Sequence, residues 1–221
     1  RCRPEYCDQV MRDLEWLGLD WDNEPVYQSR RTGLYAEAFR KLEGQGLIYP
    51  CFWSRAERLA ASAPHRSDGA AVYDGRCGRL RLAEREELSR TRRPAWRVRV
   101  PEQAIAFRDL LQGNYKEDLK RDCGDFILRR SDGVFAYQLA VAEDDGRMGI
   151  TRVVRGWALL SSTPRQIWLL EQLGYQPPSY CHIPLLLSRD GRRLAKRDGD
   201  PDMGVLRART TPEALTGYLA W

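Results

Sequence analysis

No stretch of this sequence approaches twenty consecutive apolar residues, so no segment is long enough to cross a bilayer as a helix. Arg1 opens directly into polar sequence, and no secretory leader is expected. There is no internal repeat and no low-complexity tract, which argues against a solenoid or a disordered tail. The six cysteines, at positions 2, 7, 51, 77, 123 and 181, are scattered. They lack the density of a secreted disulfide framework, so a reducing, cytoplasmic setting is expected. A starting Met is missing too, and the chain stops on Trp221 inside the helix-like run TPEALTGYLAW. Both ends therefore read as cut, with part of the natural protein expected outside them.

What is present is enough for one or two packed domains: 221 residues with 43% hydrophobic content. The net charge of +5 is mild but unevenly spread. Between Arg76 and Arg99 stand nine arginines against three glutamates. Such a segment suits a phosphate backbone, and it equally suits a solvated arginine-rich surface.

In chain order, residues 4–18 read as an amphipathic helix, with Tyr6, Val10, Met11, Leu14 and Leu17 on one face. LDWDNEPVYQS then reads as a loop leading to a short strand. A second helix follows in GLYAEAFRKLEGQG, then a short strand-like run, LIYPCFW, broken by Pro50. Residues 54–123 change character and read as an insertion, with two helical runs, alternating WRVRV and a hairpin-like IAFRDLLQGN. DFILRR and VFAYQLAV both look like strands, joined by the tight-turn signal SDG. ITRVVRG is a further strand. SSTPRQIWLLEQLG has the strongest helix signals, with Ser162 or Thr163 to cap it, Pro164 in the first turn and Gly174 to close it. HIPLLL is a final strand before a basic loop, SRDGRRLAKRDGD.

Arg155 ends an apolar strand just before a glycine. Ligands of open α/β sheets bind beyond the carboxyl ends of strands. An arginine there can grip a carboxylate in two places, or simply form a surface salt bridge. Tyr137 lies in an otherwise buried pattern, as a core tyrosine or as part of a polar face with Gln138. The start of the 163–173 helix offers free backbone amides to an anion, or to ordinary capping. Arg193, Lys196 and Arg197 form a glycine-flanked basic loop, which is either a solvated turn or a loop that closes over a triphosphate. Cys51, Tyr73 and Cys77 suggest a metal site, with His65 a spare donor and the non-ligating Trp53 two residues after Cys51.

Taken together and in order, these runs resemble a class I glutamyl-type aminoacyl-tRNA synthetase. The motifs that carry the resemblance are DLEWLGLDWD, YQSRR, GLIYPCFWSRAE, DFILRRSDGVFAYQLA, GITRVVRG and STPRQI, with RRLAKR similar to the KMSKS signature. STPRQI, RLAKR and VYDGRC are similar to the shortened glutamyl-queuosine branch, which lacks an anticodon-binding domain. The resemblance covers nearly the whole chain. It implies an α/β, Rossmann-like catalytic domain whose first strand and HIGH-type motif precede Arg1, so this piece alone is expected to be inactive. It implies first and second catalytic halves at 1–50 and 125–187. A mixed α+β insertion, acceptor-binding-like and zinc-module-like, lies at 51–124. The KMSKS-like loop and the start of a C-terminal helical segment fill 188–221. It also implies glutamate, ATP with Mg2+, and tRNA(Asp) carrying queuosine as substrates of a monomer. Tyr137 and Arg155 match the glutamate-binding positions, and Lys196 with Arg193 the ATP-contacting ones. Cys51, Tyr73 and Cys77 match zinc ligands, with Trp53 in place of the fourth. Ala158 stands where an acid is common, and Ala142 and Glu143 interrupt an expected apolar strand. An ordinary glutamyl-tRNA synthetase core and a non-catalytic binding paralogue are the alternative readings.

Overall fold

The computed structural model describes residues 4–53, 72–188, 190–192, 194 and 202–220. They fall into two compact units, one of residues 27–185 and one joining 1–26 to 186–221. In the second of these, α1 (Pro4–Trp16) is accompanied by α6 (Met203–Arg207) and α7 (Pro212–Ala220). Arg207 bonds Asp13 at 3.2 Å. Tyr6 and Val10 of the expected apolar face of α1 are more than half exposed.

The described residues of the unit 27–185 carry two sheets. β1 (Ile48–Cys51), β2 (Ala95–Val98) and β5 (Phe126–Arg129) form an antiparallel sheet in the order β1-β2-β5. Pro50 does not break β1, because β1 is an edge strand and one side of its backbone has no ladder to serve. The larger sheet runs β4-β3-β7-β6. β3 (Ala104–Asp109) and β4 (Gly113–Asp118) make the expected hairpin. β3 then pairs in parallel with β7 (Ser179–Ile183), and β7 in parallel with β6 (Arg152–Gly156). HIPLLL is thus a strand only at its start, since β7 ends before Pro184. EPVYQS holds no strand; Gln28–Arg30 is a 3-10 turn.

Among the described residues of this unit, three helices cover it besides α3 (Leu82–Thr91): α2 (Thr32–Gly44), α4 (Tyr137–Arg147) and α5 (Thr163–Leu173). Leu42, Leu128, Leu139, Leu169 and Leu170 are fully buried in one core. Each contributes about 1.5–3 kcal/mol by leaving water. α5 has the boundaries its signals indicate, and Gly174 closes it at φ +82°.

The expected strand VFAYQLAV is instead the start of α4. Phe135 makes a single bridge to Arg129, and the helix begins at Tyr137. A short apolar run does not distinguish a strand from a buried helix turn. Here Leu139, Ala140, Ala142 and Glu143 face inward together, a helical spacing. Glu143 therefore lies in no strand. It is 2% exposed and pairs at 2.8 Å with Arg147 one helical turn on. The YQSRR run secures the same helix. Gln28 and Tyr35 donate to Asp144 at 2.9 and 2.8 Å, and Arg31 pairs with it at 2.9 Å.

Candidate active site

Three polar side chains meet at the carboxyl ends of adjacent parallel strands. Asp109 ends β3, while Arg155 of β6 and His182 of β7 are register partners. Asp109 and His182 are buried and Arg155 is half-buried. A strand with one inward-facing charge at its end is costly to bury unless every polar atom is matched. Here the matching is extensive. Asp109 accepts from the backbone amides of Leu111, Gln112 and His182 at 2.9–3.1 Å, and faces His182 Nδ1 at 2.6 Å. Burial alone would raise its pKa, but these donors outweigh burial and hold it down to about 2.

The tautomer of His182 follows. Asp109 is a carboxylate and only accepts, so Nδ1 carries the proton. Arg155 Nε only donates, and it reaches His182 Nε2 at 3.0 Å, so Nε2 is the acceptor. Arg155 Nη2 donates to Thr163 Oγ1 at 2.8 Å. The guanidinium lies over the Tyr180 ring at 5.4 Å, and Tyr180 stacks on His182. The protein therefore holds the Nε–Nη2 side of Arg155. Nη2 also donates to the Leu159 carbonyl at 3.4 Å, while among the described residues Nη1 has no hydrogen-bond partner, so Nη1 is the donor left for an anion. Burial raises the pKa of Asp145, and the charge of Arg155 opposes that rise.

Tyr137 opens α4 with its side chain 48% exposed, so it is not a core tyrosine. The next residue, Gln138, donates to Ser162 at 3.1 Å and accepts from Gln166 at 3.0 Å. The start of α4 and Arg155 are thus both tied to the start of α5. Neither Ser162 nor Thr163 caps α5 with its side chain. The Thr163 hydroxyl serves Arg155 instead. Arg193, Lys196 and Arg197 lie outside the described residues. Sequence reasoning missed Asp109, Thr163 and His182. A histidine within an apolar strand of a chain with only two was the available signal.

A family model of the class I tRNA synthetases (E and Q), catalytic domain, matches residues 1–219. The chain belongs to that family. It is 50% identical over its whole length to the glutamyl-Q tRNA(Asp) synthetase of Nitratidesulfovibrio vulgaris and 45% identical to that of Symbiobacterium thermophilum, spanning 71% and 72% of those proteins. It also resembles a glutamate tRNA ligase of Elizabethkingia meningosepticum solved in complex with its amino acid. That match has a TM-score of 0.73 and 26% identity, and covers 90% of this chain. The chain spans less than half, 43%, of that ligase.

The second constellation of this synthetase domain gathers Cys51, Tyr73 and Cys77 in one buried cluster. The Tyr73 hydroxyl accepts from the Cys77 amide at 2.8 Å. The buried Arg97 donates to Cys51 Sγ at 3.2 Å and lies 4.0 Å over the Tyr73 ring. A hydrogen bond from Cys77 lowers the Cys51 thiol to about 5, against burial and with help from Arg97, and the Cys77 thiol rises in turn. Trp53 packs beneath the Arg76 guanidinium at 3.7 Å. Among the described residues no group of three or more His, Cys, Asp or Glu side chains could hold a metal ion. His65 lies outside them. This donor set does not fit a closed zinc site: the described ligands stop at three, and Arg97 already supplies the positive charge beside Cys51. The arginine-rich segment is partly structural as well. Arg97 is buried, Arg99 lies over Tyr49, and Arg85 and Arg92 donate to backbone carbonyls.

Among the described residues no helix is long and apolar enough to cross a membrane.

Proposed function

We propose that this chain is part of an enzyme that activates glutamate with ATP and transfers it to the queuosine base of tRNA(Asp). The observation that carries this reading is the half-buried Arg155, whose Nη1 has no partner among the described residues, in a chain half identical to a glutamyl-Q tRNA(Asp) synthetase. Arg155 grips a carboxylate of glutamate, and Tyr137 lines the same pocket. Lys196 and Arg193 contact ATP, whose phosphate charge is shared with Mg2+. The other glutamate carboxylate attacks the α-phosphate and pyrophosphate leaves, giving a mixed anhydride. No protein nucleophile is required; the chain positions the reactants and neutralises charge. In this reading catalytic segments at 1–50 and 125–187 flank an insertion at 51–124, and a basic loop follows from 188. The enzyme works as a monomer in the cytoplasm.

The test is ATP–pyrophosphate exchange by the full-length natural protein, with glutamate and without tRNA, followed by transfer of labelled glutamate to queuosine-containing tRNA(Asp). Exchange without tRNA and labelling of that tRNA are expected. Exchange that requires tRNA(Glu) would identify an ordinary glutamyl-tRNA synthetase instead. No exchange under either condition would leave a non-catalytic paralogue.

A further inference from the structure

Arg155 is useful to a carboxylate only if its end is aimed, and an unsupported arginine side chain samples many rotamers. The structure removes that freedom with buried groups from the neighbouring strands and helix. Asp109, Thr163 and His182 are at most 1% exposed. They belong to three different elements, β3, α5 and β7, yet His182 and Thr163 meet one guanidinium and Asp109 holds His182. Asp109 takes up both the backbone amide and Nδ1–H of His182. That leaves His182 Nε2 as a lone-pair acceptor for Arg155 Nε. Thr163 Oγ1 accepts from Nη2, and its own hydroxyl hydrogen can be donated to the Leu159 carbonyl, 3.3 Å away, or to His182 Nε2, 3.2 Å away. With Nε and Nη2 both fixed, the guanidinium plane has one orientation.

We infer that Asp109, His182 and Thr163 are positioning residues that hold Arg155 in its carboxylate-binding orientation, with a neutral Nδ1–H imidazole as the central link. The inference rests on the proposal that Arg155 binds the substrate carboxylate. A buried histidine of this kind is exchangeable by function rather than by shape. Asparagine places an amide donor near Nδ1 and keeps the bond to Asp109, but it offers nothing to Arg155. Glutamine places an amide near Nε2, and its oxygen can accept from Arg155.

The experiment measures glutamate and ATP KM and kcat in pyrophosphate exchange with the full-length protein carrying R155A, H182N, H182Q or T163V. R155A comes first. If it leaves the glutamate KM unchanged, Arg155 is not in the site, and the functional reading of Arg155 fails independently of the positioning claim. If R155A raises that KM, H182N and T163V are expected to raise it by about tenfold, the scale of one lost hydrogen bond to a charged group, with the ATP KM unmoved. H182Q is expected to recover most of the H182N loss. Combining H182N with R155A should add little to R155A alone, because the two act through one contact. T163V removes a single hydroxyl from a buried threonine at nearly constant volume, so it decides the matter even if both His182 variants fail to fold. A folded T163V protein with the unaltered glutamate KM, or H182N and H182Q proteins that behave alike, would overturn the inference.

Discussion

Arg155 does two jobs with one side chain: Nε and Nη2 complete a buried network, and Nη1 has no partner among the described residues. A lysine cannot do both. Its ammonium is a point charge and lacks the planar fork that spans His182 and Thr163. Arg155→Lys is therefore expected to raise the glutamate KM at least tenfold while leaving the ATP KM near its starting value. Pyrophosphate exchange at varied glutamate checks this, and an unchanged KM would count against the carboxylate grip. Arg155 was legible in the sequence because a charged residue at the end of an apolar strand is unusual. Its supports were not. Asp109 lies in a hairpin-like run and Thr163 reads as a helix cap; the pairing of β3 with β7 and of β7 with β6 brings Asp109 and Arg155 to His182, and the start of α5 adds Thr163.

Elements show where sequence patterns are sufficient and where they are not. α5 was legible because its stop, its first-turn proline and its apolar spacing agree. α4 was not, because its first residues look like the continuation of a hairpin, and its helical character depends on tertiary partners for Glu143 and Asp144. Its packing is close. A Cβ added at Gly146 would stand 2.2 Å from the Tyr175 ring. Gly146→Ala is expected to lower stability by about 1–3 kcal/mol despite the better helix propensity of alanine. Urea unfolding measures it, and a stabilised variant would show that Tyr175 swings aside freely. The cysteine cluster was half legible. Its three expected donors do come together, but Arg97, which the strand pattern WRVRV conceals, lies against the sulfur of Cys51. Elemental analysis of purified protein is expected to find no stoichiometric zinc, and EDTA to leave the melting temperature in place. A zinc content near one per chain would show that a fourth ligand closes the site.

At the scale of the whole molecule, the sheet that carries Arg155 also holds the paired neighbours furthest apart in the chain among the described strands, β3 and β7. β3 and β7 are joined only across the segment from residue 110 to 178, so the site exists only when the unit of residues 27–185 is folded as a whole. The pH dependence of that unit should show it. Asp109 has its pKa lowered from 3.8 to about 2 in the folded state. A group whose folded pKa is depressed contributes stability above its unfolded pKa and loses it as pH falls through the folded one. The contribution of Asp109 is thus fully present above about pH 4 and disappears toward pH 2. Asp145, whose pKa burial raises, acts in the opposite sense: its charge costs stability at neutral pH, and protonation relieves that cost. Because Asp109 unites the backbone of β7, the turn after β3 and the imidazole of His182, its loss is expected to dominate. The urea midpoint should fall between pH 4 and pH 2, and Asp109→Asn should lower the midpoint at pH 7 and flatten the acid decline. A variant with an unchanged pH 7 midpoint and the same acid slope would mean that the carboxylate does not hold the three strand ends together. In that event the network around Arg155 would lose its anchor, and the orientation of the guanidinium would need another cause.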